Sequence, residues 1–144
     1  MTERAHPLII PTLRYTDARA AIDWLCDAFG FVRHLVVPGE GDSIAHAQLL
    51  YRNGMRNGMV MLSTASESGF GQLQKTPSAV GGASTQSPYV IVPDADAHCE
   101  RAKAKGARIV WALRDQDYGG RGYSCTDPEG HLWSFGTYDP WAEV

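Results

Sequence analysis

What this 144-residue chain lacks narrows its class before any motif is read. No apolar run approaches the roughly 18 to 20 residues that a membrane-spanning helix needs, so no membrane partner is expected. Met1-Thr2-Glu3-Arg4-Ala5-His6-Pro7 has no signal-peptide core, and the expected location is cytoplasmic. Excess positive charge is missing too. Thirteen Lys and Arg against 16 Asp and Glu, scattered along the chain with a net charge of -3, leave no footprint for a polyphosphate backbone and argue against nucleic acid. Cysteine is scarce: Cys26, Cys99 and Cys125 are odd in number, far apart and without a Cys-x-x-Cys pair. That argues against a disulfide framework and a thiolate zinc site, and reduced, mostly buried thiols are expected.

What is present is more specific. Asp127-Pro128-Glu129-Gly130 has the make-up of a type I turn: Pro128 pre-sets φ, Asp127 can bond the backbone ahead, and Gly130 closes the turn. Alternating β-prone residues flank it, so it joins two strands. A second signal is repetition. Tyr15-Thr16-Asp17-Ala18 and Val92-Pro93-Asp94-Ala95 both pass from a β-like run into a helix, and their aspartates stand 77 positions apart. Each helix runs to a glycine, Gly30 and Gly106, followed at once by a new strand. This is the mark of an internal duplication.

Helical spacing gives the first helix a stripe of Ala18, Ala21, Ile22, Leu25 and Phe29, capped by Thr16 or Asp17. The second has a weaker stripe of Ala95, Cys99 and Ala102, capped by Asp94 or Asp96. Strands are predicted at Leu8 to Arg14, Phe31 to Val37, Ile44 to Tyr51 and Met59 to Ser63. The second half repeats them at Tyr89 to Val92, Arg108 to Ala112, Gly122 to Thr126 and Leu132 to Thr137. Asn53-Gly54 and Asn57-Gly58 mark the bend between the third and fourth strands. The prediction is an α+β protein of one domain, residues 1–144, built from two β-α-β-β-β modules at about 8–63 and 88–138. Residues 64–87, rich in Gly, Ser, Thr and Gln, form a linker or a lid.

Two such modules in tandem, with Asp127-Pro128-Glu129-Gly130-His131 before the last strand, resemble the vicinal oxygen chelate superfamily of glyoxalase I, extradiol dioxygenases, and fosfomycin- and bleomycin-resistance proteins. Thr12-Leu13-Arg14-Tyr15-Thr16-Asp17 and Trp133-Ser134-Phe135-Gly136-Thr137-Tyr138 are similar to its small glyoxalase-related members. The resemblance implies a curved mixed sheet around a cavity, helices outside, and a homodimer. It also implies metal ligands on the first strand of each module and on the last strand. Those positions are Ile10, Gln86 or Ser87, and Ser134, which offer no anionic or imidazole donor. A metal-free protein without cofactor is therefore expected, holding a small organic ligand in the cavity or dimer groove. The alternative is a glyoxalase-like lyase or isomerase with a displaced metal site, and the identity of the ligand stays open.

If position 10 faces the cavity, alternation sends Thr12 and Arg14 the same way and packs Leu13 and Tyr15 under the helices. Arg14 either holds an acidic ligand or pairs with a structural carboxylate, because an unpaired buried charge is costly. His46 and Gln48 share a strand face, flanked by Ile44 and Leu50. They form either a polar cavity wall with an acid or base, or a merely hydrogen-bonded pair. Ser124 and Ser134 point inward as ligand-orienting hydroxyls, Ser124 within possible reach of Thr12. Trp111 and Trp141 are free to stack on a planar ligand, whereas Trp24 and Trp133 belong to the core. His131 is expected to tie down its hairpin, and Asp115, Asp117 and Tyr118 to be solvated in their loop.

Overall fold

Asp17 opens the first helix because its carboxylate accepts the Ala20 N–H at 3.1 Å, and Gly30 ends it because the chain turns left-handed there, at φ 85°. Between them α1 (Ala18–Phe29) buries Ala18, Ala21, Ile22, Leu25, Ala28 and Phe29. Asp94 caps α2 (Ala95–Ala104) in the same way, through the Ala97 N–H at 3.0 Å. To the expected Ala95, Cys99 and Ala102 this helix adds a buried His98. The structure, a computed structural model, describes residues 6–142.

The first module contributes β1 (Thr12–Tyr15), β2 (Val32–Pro38), β3 (Ile44–Asn53) and β4 (Arg56–Thr64). The second contributes β5 (Tyr89–Ile91), β6 (Arg108–Asp115), β7 (Arg121–Thr126) and β8 (Leu132–Gly136). Each set forms a mixed four-stranded sheet, ordered β1-β4-β3-β2 and β5-β8-β7-β6, its first strand parallel to its fourth. The predicted duplication and α+β class are thus what the chain adopts.

Three local expectations need correction. β1 begins at Thr12 rather than Leu8, because Pro11 has no N–H to donate, and Leu8 and Ile9 lie almost fully exposed. The β3–β4 hairpin turns on Gly54 and Met55 alone, with Asn53 opposite Arg56, so Asn57-Gly58 lies inside β4. A register shift between Val37 and Pro38 resets the alternation of β3 at Ala45. Ile44 therefore joins Ala47 and Leu49 in the core instead of flanking His46. The stretch read as a linker or a lid forms two short 3₁₀ turns, Gly69–Gln72 and Pro77–Val80, and buries Gly71, Thr76 and Pro77.

The two modules share one core. The Phe29 ring centroid lies 4.5 Å from that of Phe135 and 5.3 Å from that of Trp133, and Phe31 lies 5.7 Å from Trp133. Polar groups clamp the same seam. Asp127 closes its turn by accepting Gly130 N–H on its carbonyl, while its carboxylate accepts the Glu129 and His131 N–H groups. The other carboxylate oxygen accepts the Tyr15 hydroxyl at 2.6 Å and the Trp133 indole N–H at 3.1 Å. Glu129 accepts the N–H groups of Thr16 and Asp17 at the start of α1, and His131 reaches the Arg14 carbonyl at 2.6 Å. His131 thus ties down the neighbouring module as well as its own turn. From α2, Arg101 donates to the carbonyls of Asp27 and Cys26 where α1 ends.

Gly30→Ala is expected to cost about 1–2 kcal/mol, since an alanine would be held left-handed. Its methyl group would also sit 3.3 Å from the Arg101 guanidinium. Thermal unfolding should fall by roughly 3–6 °C; an unchanged Tm would show that this cap is not under conformational demand.

Candidate functional site

Alternation along each strand sorts the sheets into a core side and an outer side. On β1, Leu13 and Tyr15 are buried while Thr12 is exposed and Arg14 half-buried, as the sequence predicts. Across the first sheet Thr12 stands opposite Met61, Met61 opposite Gln48, and Gln48 opposite Leu35. Arg14 stands opposite Ser63, and His46 opposite Val37. Thr12, Arg14, His46 and Gln48 therefore occupy adjacent rows of one outer face, with Met61 and Leu50 between and beside them.

The second sheet builds a matching row. Tyr89 stands opposite Ser134, Ser134 opposite Ser124, and Ser124 opposite Trp111. Under the internal repeat this row is equivalent to Thr12, Met61, Gln48 and Leu35, since both cross first, fourth, third and second strands of their module. The duplication thus places Trp111, Ser124 and Ser134 where the first module carries Leu35, Gln48 and Met61. A cavity of about 330 Å³ lies on this face, lined among others by Trp111, Ser124, Ser134, Tyr89, Tyr118 and Arg114. Trp111 is two-thirds exposed, with Arg114 placed 5.6 Å over its ring. The two groups of residues do not share this cavity: Thr12, Arg14, His46 and Gln48 stand on the other sheet.

Contacts refine several of the sequence readings. Arg14 has no carboxylate partner among the described residues; its Nε donates to Gln74 Oε1 at 3.3 Å and its Nη1 to the Thr64 carbonyl at 3.5 Å. The Gln48 amide donates to His46 Nε2 at 3.0 Å, which places the His46 proton on Nδ1. Ser124 bonds Ser134, Oγ to Oγ at 2.7 Å, and not Thr12. Asp115 pairs with Arg121 at 3.4 Å rather than standing alone. Trp24 is a half-buried seam residue whose indole donates to the Lys105 carbonyl, and Trp141 is largely exposed. Burial pushes the Cys125 thiol up to about 12, so it is inert packing on the core side.

Gln74, which fastens the linker to β1, and Tyr89, which completes the second row, escaped the sequence reading. Tyr89 was recoverable from Ser134 by strand pairing; Gln74 lies in a stretch without periodic signal. The positions that the resemblance gives to metal ligands do not suit a cation. Ile10 has no donor, Gln86 and Ser87 are neutral, and the Ser134 hydroxyl is engaged with Ser124. Among the described residues no three His, Cys, Asp or Glu side chains are grouped to hold a metal ion. No helix among them is long and apolar enough to cross a membrane.

Comparison with known proteins agrees with the topology. Residues 6–135 match the model of the Glyoxalase/Bleomycin resistance protein/Dioxygenase superfamily. The chain is 37% identical over 136 residues to an uncharacterized protein of Mycobacterium bovis, covering 94% of this chain and 86% of that one. It is similar to the crystal structure of TioX from Micromonospora sp. ML1, with 38% identity, a TM-score of 0.67, and 92% and 97% of the two chains covered. A glyoxalase-related enzyme from Fulvimarina pelagi, 19% identical, shares the fold with a TM-score of 0.60 over 96% of this chain and 91% of that one. With its duplicated modules, the turn at Asp127 and these matches, the chain belongs to the glyoxalase/bleomycin resistance protein/dioxygenase superfamily.

Proposed function

We propose that this protein binds a small organic molecule, without a metal, between the outer face of one first module and that of a second module across a homodimer groove. The observation that carries the reading is the pair of equivalent rows, each mixing a few hydrogen-bonding groups with apolar neighbours and each turned away from the core that the modules share. Thr12, Arg14, His46 and Gln48 would supply one wall, and Trp111, Ser124 and Ser134 the other. Exposed Val32, Leu35, Val36 and Val37 on β2, with Val110 and Trp111 on β6, give the two copies apolar margins to cover. A ligand of 20 to 30 heavy atoms at about −0.3 kcal/mol per atom would bind with roughly −6 to −9 kcal/mol, in the micromolar range. Sequestration of this kind needs no activated nucleophile. The bond from Gln48 to His46 Nε2 occupies the lone pair that a general base would use, which weighs against the lyase or isomerase alternative.

Native mass spectrometry is expected to show a dimer. A compound screen should yield ligands that, at about 100 times their Kd, stabilise the protein by about 2.7 kcal/mol, or roughly 8 °C in Tm. A monomer that no compound stabilises would remove the proposal. Stoichiometric Zn, Ni, Mn or Fe in the purified protein, lost on substitution of His46, would replace it with the metal-dependent alternative.

A further inference from the structure

We infer that Gln74 is a latch on Arg14, displaced by the carboxylate of an organic acid with an apolar ring, and that its displacement frees the strap of residues 69–75 to close over that ring. This rests on the ligand-binding reading of Arg14 and narrows the ligand to a class. Among the described residues the Arg14 guanidinium makes only long bonds to neutral oxygens, at 3.3 and 3.5 Å, with the Phe70 ring 5.4 Å from its centre. A carboxylate forms shorter, charge-assisted bonds that are about twice as strong and match the guanidinium fork. It would therefore take the place of the Gln74 amide oxygen.

The same Gln74 side chain is what fastens the strap to β1. Its Nε2 donates to the Thr12 carbonyl at 2.9 Å, and to the Thr12 hydroxyl at 3.4 Å. Losing Arg14 from one end of the amide loosens the hold at the other. On one side the strap begins at Gly69, which sits at φ 60°, a conformation glycine adopts without strain. On the other it ends at Thr76 and Pro77, both buried, with Pro77 packed beside Gly130. Between them Gly71 is buried against the Ser66 backbone, while Phe70 and Leu73 on either side of it are 61% and 83% exposed. Phe70 already lies over the Arg14 guanidinium and Leu73 faces solvent, so an apolar ring held at Arg14 would give both an apolar partner.

The test uses 2-naphthoate, with uncharged 2-naphthamide as its match, followed by tryptophan fluorescence and by hydrogen exchange of residues 69–75. The full-length protein is compared with Arg14→Gln, Gln74→Ala and Gln74→Glu. Naphthoate is expected to bind about tenfold more tightly than the amide, and Arg14→Gln to abolish that preference. Gln74→Glu, which sets a carboxylate against Arg14, should weaken naphthoate by about tenfold, and Gln74→Ala should tighten it. Exchange in the strap should rise in Gln74→Ala without ligand and change in the wild type only with naphthoate. If naphthoate shows no advantage, or keeps it in Arg14→Gln, the acidic-ligand reading fails and the latch with it. If Arg14→Gln abolishes the advantage but neither Gln74 variant alters affinity or exchange, the latch alone is overturned.

Discussion

Asp127→Ala is expected to destabilise the protein by about 3–5 kcal/mol, seen as a fall of roughly 10–15 °C in Tm. Asp127 is 4% exposed and its carboxylate accepts four hydrogen bonds: two from the backbone of its own turn, one from the Tyr15 hydroxyl and one from the Trp133 indole. Without the carboxylate, the buried Tyr15 hydroxyl and His131 N–H lose their acceptor and the Trp133 indole keeps only the Tyr15 oxygen, and each orphan costs about 1–3 kcal/mol. Tyr15 cannot relieve the loss by ionising. Burial, the largest cause of its raised pKa, persists when the Asp127 charge is gone, so the hydroxyl stays a donor. Asp127→Asn keeps one acceptor and should lose about half as much. Urea unfolding measures both variants; a loss below about 1 kcal/mol for the alanine would mean that the clamp contributes little.

The second large effect is expected at His98. Its Nε2 donates to the Phe29 carbonyl in the other module at 2.9 Å, and its Nδ1 accepts the Tyr123 hydroxyl at 2.6 Å. His98→Ala removes both bonds and opens a void against Phe135, whose ring lies 4.2 Å away, for a cost of about 2–4 kcal/mol. The same residue gives stability a pH dependence. Burial, helped by the nearby Arg101 charge, lowers the His98 pKa against the opposing pull of the Phe29 carbonyl. In the unfolded chain a histidine protonates near pH 6.5, whereas His98 in the fold remains neutral below that. As pH falls through about 6.5 the unfolded state therefore binds a proton that the folded state does not, and stability drops until the folded pKa is reached. Other groups facing the ring, Tyr51 and Tyr123, stay neutral across this range, as burial raises both. His98→Gln should flatten the slope between wild type and variant below pH 6.5. Parallel curves would assign the acid sensitivity elsewhere.

The features that sequence reading captured are those written locally. Asp17 and Asp94 as caps, Gly30 as a left-handed stop, and the Asp127 turn each depend on four or five consecutive residues, and their repetition gave the topology. Alternation along single strands put Thr12 with Arg14, and Ser124 with Ser134, on the side away from the helices, but it could not show that the two pairs stand on different sheets. What was hidden depends on distant partners or on breaks in period. Tyr15 and Asp127 are 112 positions apart, Gln74 reaches β1 from a stretch without periodicity, and the irregularity at Ala45 silently moves Ile44 to the core. His98 was available in principle, since 95, 98, 99 and 102 share a helical face, but a polar residue on a weak stripe is easily assigned to solvent.

The shared core also bears on how the two ancestral copies can diverge. Phe29 and Phe31 belong to one repeat, and Trp133 and Phe135, against which they pack, belong to the other. Drift at any of these four positions is answerable to the opposite half, so the repeats have become co-dependent and neither is free to evolve as a spare. The outward rows carry no such mutual obligation. Selection can rewrite them one strand at a time while the interior stays fixed.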